Sequence, residues 1–108
     1  MAKLLNNLEY AKLLILIYSK SDYQKEKALL LYRYVSYHLI NGHFNDGYIE
    51  KLAMDLKLIN PEKRDIIPDT SGVRFQENLK EMDNVFTQFE LIEIKTTVFE
   101  IFTHGFYK

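Results

Sequence analysis

Cysteine and tryptophan are missing from this 108-residue chain, and glycine and proline are scarce, at four and two. Without cysteine there are no disulfides and no thiolate metal ligands. So few glycines leave little material for a phosphate-cradling loop. No nucleophile elbow, Walker-type loop, paired zinc histidines or dinucleotide fingerprint is present. These absences point away from an enzyme. His38, His43 and His104 are the only imidazoles. Nothing in their spacing fixes a metal site, so neither cofactor nor metal is expected. The longest apolar run, Leu13 to Tyr18, is six residues, far short of the ~20 that span a bilayer. Met1–Lys12 lacks the basic start, apolar run and small-residue cleavage site of a secretion signal. A soluble cytoplasmic protein, with no membrane partner, is the expectation.

Aromatic residues are plentiful: eight Tyr and seven Phe. A 47% apolar and 27% charged composition is that of an ordinary globular chain, and the length suits one domain, 1–108, with one core. The net charge of −1 hides an asymmetry. Residues 1–64 carry ten Lys and Arg against seven Asp and Glu; residues 65–108 carry four against eight. A protein that grips phosphates should concentrate cations on the gripping face.

Leu4 to Ser19 reads as a helix. Leu4, Leu8, Ala11, Ile15 and Tyr18 form one stripe, and Leu5, Leu13, Leu14, Leu16 and Ile17 widen it nearly all round. A helix apolar on most sides is buried on most sides. Residues 1–20 are therefore either a central core helix or an arm that joins two copies into a homodimer. Ser21-Asp22-Tyr23-Gln24 has the form of a capping box, opening a second helix to Ile40. Asn41-Gly42 ends it, glycine accepting the left-handed conformation. A third helix follows at Tyr48–Leu58. Residues 59–72 form a long, proline-punctuated loop.

The next stretch, Val73 to Phe102, changes period. Phe75, Leu79, Met82, Phe86 and Phe89 keep a helical stripe. In Glu90–Phe102 the apolar residues fall into two short runs around Thr96-Thr97, as in a hairpin. With that pair as the turn, Ile92, Ile94, Phe99 and Ile101 share one face. The other face sets Glu93 against Glu100.

From Tyr23 onward the order of helix, short strand at Gly42–Asn45, helix, helix and two-stranded hairpin resembles winged helix-turn-helix domains. YIEKLAMDLKL (48–58) is similar to the first helix of the turn-helix pair, and LKEMDNVFTQFELIEIK (79–95) to the second helix running into the wing. With KALLLYRYVSYHL (27–39) before them, the set is similar to small replication-associated domains of Gram-positive plasmids and phages. The connection 59–72 departs from the family, being far longer than the usual turn. The resemblance implies an α+β, mostly helical winged helix with an extra N-terminal helix and a C-terminal β-hairpin wing. It also implies binding of double-stranded DNA in replication or transcription control, through a recognition helix at Val73–Phe89. The candidate nucleic-acid contacts are Arg74, Lys80, Asn84 and Gln88 on that helix, Lys95, Thr96 and Thr97 on the wing, and Lys57, Lys63 and Arg64 before it. Glu77, Glu81, Glu93 and Glu100 oppose phosphate binding at the same places. The alternative is a winged-helix-like protein-interaction module whose acidic C-terminal half docks a basic partner or whose first helix completes a partner's core. A third reading, an all-helical immunity-type protein, requires Glu90–Phe102 to be helical.

Overall fold

A computed structural model describes residues 4–22, 24–45, 47–58 and 72–104. They form five helices: α1 (Asn7–Ser21), α2 (Lys25–Asn41), α3 (Gly47–Asp55), α4 (Gly72–Val85) and α5 (Gln88–His104). Helix α2 is the hub, packed against α1, α3 and α4, while α5 closes the bundle against α1 and α4. Leu13 and Ile17 of α1, Leu31, Val35 and Leu39 of α2, Leu52 of α3, Met82 of α4 and Ile94 of α5 are fully buried at its centre. Each such side chain contributes roughly 1.5–3 kcal/mol of transfer free energy.

The expected β-hairpin wing is overturned, and with it the winged-helix architecture. Residues 88–104 are one continuous α-helix, and no described residue lies in a strand. The reason lies in Thr87-Gln88-Phe89-Glu90. The Glu90 amide donates to Thr87 Oγ1 at 3.1 Å, and the Thr87 amide donates to Glu90 Oε1 at 2.9 Å. This reciprocal capping box satisfies two helix-start donors. It also holds the Glu90 carboxyl below its usual range, chiefly through the Thr87 backbone N–H. From that start Leu91, Ile94, Val98 and Ile101 recur at helical spacing and all point into the core. Thr96-Thr97, the supposed turn, sits mid-helix; such a pair is a poor primed turn in any case.

The proposed recognition helix is likewise split. Helix α4 ends at Val85, Phe86 is buried at the joint, and Phe89 belongs to α5. Ser21-to-Gln24 is not a capping box. Ser21 is the last residue of α1, where its hydroxyl donates to the Tyr18 carbonyl, and Gln24 makes no side-chain cap. Helix α1 starts on a different box, Asn6 with Glu9. Gly42 does end α2, but its φ is −84°, so left-handed geometry is not why glycine stands there. A Cβ at that position would meet the Phe44 ring at 2.9 Å and the His38 carbonyl at 3.0 Å, so any larger residue would have to displace the ring, and this crowding favours glycine.

One buried polar contact sets how α4 lies on α2. Asn78 is 5% exposed, and its Nδ2 donates to the Leu30 carbonyl at 3.0 Å. A polar group buried here needs such a partner, so the bond pins α4 in a single register.

Candidate interaction surfaces

Helix α1 carries two apolar faces. Leu13, Leu16 and Ile17 fill the core. Leu8 and Ile15 lie on the opposite side, with Ala11 between them, and Leu4 precedes the helix by three residues; all three of these large side chains are 63–67% exposed. Tyrosines brace this helix against α3. Tyr10 and Tyr18 both donate to Asp55, the first to its carboxylate and the second to its carbonyl. Tyr48 Oη accepts from the Leu5 amide at 2.9 Å and donates to the Leu5 carbonyl at 3.0 Å. Burial, reinforced by the Asp55 carboxylate, pushes the Tyr10 phenol well above its ordinary range.

Helix α5 repeats the pattern. Opposite its core face, Phe89, Ile92 and Phe99 are 60–81% exposed. Alongside Phe99, an open groove of about 620 Å³ separates α5 from α2. Tyr34 and His38 contribute from α2; Lys95, Val98, Phe99 and Phe102 contribute from α5. The His38 ring meets Tyr34 edge-on at 4.7 Å and Phe75 at 5.7 Å. Its Nε2 is buried with no hydrogen-bond partner. Burial lowers its affinity for a proton, so this imidazole is neutral at neutral pH.

The residues selected for nucleic-acid contact are scattered over this frame. Lys57 follows α3 with φ +58°, and the Leu58 amide beyond it donates to the Ala53 carbonyl, a helix-ending turn that normally takes glycine. Lys63 and Arg64 lie outside the described residues. Arg74 pairs with Glu77 at 3.6 Å. Lys80 and Asn84 are exposed on α4, opposite buried Asn78 and Met82, in the company of Glu77 and Glu81. Gln88 is the exposed first residue of α5. Lys95 and Thr96 are exposed beside the groove, and Thr97 is half-buried. Thus Lys80 and Asn84 share a face, and Lys95 and Thr96 share another, but no hairpin wing presents Lys95, Thr96 and Thr97 together. The described part of α4's open face carries more acid than base, which is unfavourable for phosphate.

Tyr32 and Tyr34 are buried in α2, and Tyr37 stacks on Phe75 at 3.7 Å. Sequence reasoning missed the α5 outer face because the hairpin register placed Ile92 and Phe99 inside. The signal that could have found it was Thr87-x-x-Glu90 directly before an apolar run. Among the described residues, no three His, Asp or Glu side chains gather as metal ligands, and no helix is long and apolar enough to cross a membrane. No protein-family model, curated protein or solved structure matches the chain.

Proposed function

We propose that this chain is a helical protein-interaction module, and that the outer face of α1 completes the apolar core of a partner protein. The observation that carries this reading is the stripe Leu4, Leu8 and Ile15. Leu8 and Ile15 stand exposed on a helix whose opposite face already fills the core, and Leu4 is exposed just before its first turn. Scattered surface leucines are ordinary, but a contiguous apolar stripe marks an interface. A homodimer across this same α1 face is the alternative occupant. The immunity-type reading is the specific form we favour, because its structural condition was a helical Glu90–Phe102, and that stretch lies within α5. Nucleic-acid binding has weaker support: Lys80 and Asn84 share their face with Glu77 and Glu81.

The test is site-specific photocross-linking in the producing cell. A photoreactive residue at position 8 or 15 should yield a defined heterologous product that the same residue at position 80 does not. A product of two copies of the chain would point to the homodimer instead. Duplex DNA should show no mobility shift at low salt. A shift that fades steeply with salt, through counterion release, and persists in Leu8→Glu/Ile15→Glu would replace this reading with the nucleic-acid one.

A further inference from the structure

Helix α5 holds a second outward face, which the reading above does not use. Phe89, Ile92, Thr96, Phe99 and Thr103 recur in steps of three and four. That is the spacing of a coiled-coil seam, with Phe89, Thr96 and Thr103 at a and Ile92 and Phe99 at d. Phe89, Ile92 and Phe99 are exposed, and the α5 residues that fill the core, Leu91, Ile94, Val98 and Ile101, lie on the other side. We propose that this seam joins two copies of the chain, with the α5 helices side by side and parallel.

The flanking residues choose both the occupant and the direction. Gln88, Lys95 and Phe102 occupy g, and Glu93 and Glu100 occupy e. In a parallel pair, each g residue faces the residue five further along on the other helix. Lys95 then meets Glu100 of the second copy, twice by symmetry, and Gln88 meets Glu93. Neither Lys95 nor Glu100 has an ion-pair partner among the chain's described residues, so both are available. Glu93 is offset by Lys20 of its own chain. In an antiparallel pair, e would face e and g would face g. The two glutamates would then approach each other, as would the two Lys95 ammonium groups, and like charges in contact are unfavourable. The outer seam of α1 has no such code: its flanks are Asn7 and Leu14 on one side, Lys12 and Ser19 on the other. With threonine at two of the three a layers, the α5 pair is weak and concentration-dependent.

Sedimentation equilibrium of the full chain tests this. The mass should climb from 12.9 kDa toward twice that value with concentration. Ile92→Glu/Phe99→Glu should stay monomeric with unchanged circular dichroism, because both side chains are already exposed. Lys95→Glu should weaken the dimer several-fold, and Glu100→Lys in the same chain should restore it. Thr96→Cys, the only thiol in the chain, should form a disulfide-linked dimer on mild oxidation, since parallel pairing sets position 96 against itself within disulfide reach. A monomer at every concentration into the millimolar range overturns the proposal. So does a dimer that survives Ile92→Glu/Phe99→Glu but is lost in Leu8→Glu/Ile15→Glu, which would assign self-association to α1. Failure of the charge swap to restore the dimer, or of Thr96→Cys to cross-link, overturns the parallel arrangement.

Discussion

Helix α1 buries Leu13, Leu16 and Ile17 and turns Leu8 and Ile15 outward, with Leu4 exposed just before it; α5 buries Ile94, Val98 and Ile101 and turns Phe89, Ile92 and Phe99 outward. Both begin with a capping box, Asn6 with Glu9 and Thr87 with Glu90. Their flanks differ. The outer stripe of α1 is bordered by Asn7, Lys12, Leu14 and Ser19, and that of α5 by Gln88, Lys95 and Phe102 on one side and Glu93 and Glu100 on the other. Apolar spacing says that a face wants a cover. Flanking charge says which cover fits, because rim electrostatics act on partner choice and orientation more than on raw affinity. The same kind of stripe therefore supports a foreign partner on α1 and a second copy on α5.

The largest effects should come from the inner faces, and they also separate helix from hairpin. Leu13→Ala and Ile94→Ala each remove a fully buried side chain. Each should cost about 2–5 kcal/mol in a urea titration. Ile15→Ala and Ile92→Ala remove exposed side chains and should cost less than about 0.5 kcal/mol at concentrations where the chain is monomeric. A hairpin would place Ile92 and Ile94 on one face and make their losses alike. Equal losses at these two positions would sink the helical account of α5.

Much of this was legible in the sequence, and the failures have physical causes. The four helices through α4 follow from apolar spacing, although α1 begins at Asn7 rather than Leu4, leaving the first member of the expected stripe just before the helix. What spacing could not give was its direction: Leu4, Leu8 and Ile15 form a good stripe, yet the interior side is Leu13, Leu16 and Ile17. A helix apolar nearly all round does not declare which face is inside. In α5 the ambiguity reached the secondary structure itself, since Leu91, Ile92, Ile94, Val98, Phe99 and Ile101 satisfy both a period of two and one of 3.6 over so short a run. The local tie-breaker was the capping box at Thr87 and Glu90. The buried Asn78 was invisible, because its partner is a backbone carbonyl 48 positions earlier. Of the candidate contacts, Lys57 turned out to shape a helix end, while Lys80 and Lys95 are surface cations on separate helices.

Intermediate effects should follow from the two helix starts. Asn6→Ala and Thr87→Ala each remove a capping oxygen and should cost about 1 kcal/mol. Hydrogen exchange should place the loss in α1 for the first and α5 for the second. Acid should strike the α5 side first. The His38 imidazole in the α2–α5 groove has its proton affinity lowered by burial from the ordinary 6.5. The unfolded chain therefore takes up that proton before the folded one does, and stability falls as pH drops below about 6.5. His38→Phe should flatten this slope. The Glu90 carboxyl, held below its ordinary 4.5, adds stability that is complete above that pH and is lost as pH falls through its lowered folded value. Glu90→Gln should remove that second, more acidic loss, whereas Thr87→Ala, which keeps the backbone N–H, should leave most of it in place. A stability profile unchanged between pH 7 and 5 would show that His38 is not held neutral by the fold.

The smallest effect belongs to the Lys20–Glu93 ion pair, which links the two helices. Lys20 Nζ lies 2.5 Å from Glu93 Oε2, with Lys20 19% and Glu93 61% exposed. Pairs this open to water are worth about 0–1 kcal/mol and are screened by salt. Lys20→Met should therefore lower stability by no more than about 0.5 kcal/mol, with the difference vanishing at high salt. Its effect on self-association should also be slight, because the neighbour of Glu93 across the proposed seam is Gln88, which is uncharged. A loss above about 1.5 kcal/mol, unchanged by salt, would be the behaviour of a desolvated pair. Helices α1 and α5 would then act as one rigid unit. The two outer faces could no longer be altered independently, and a change on the α1 stripe would register in the α5 dimer.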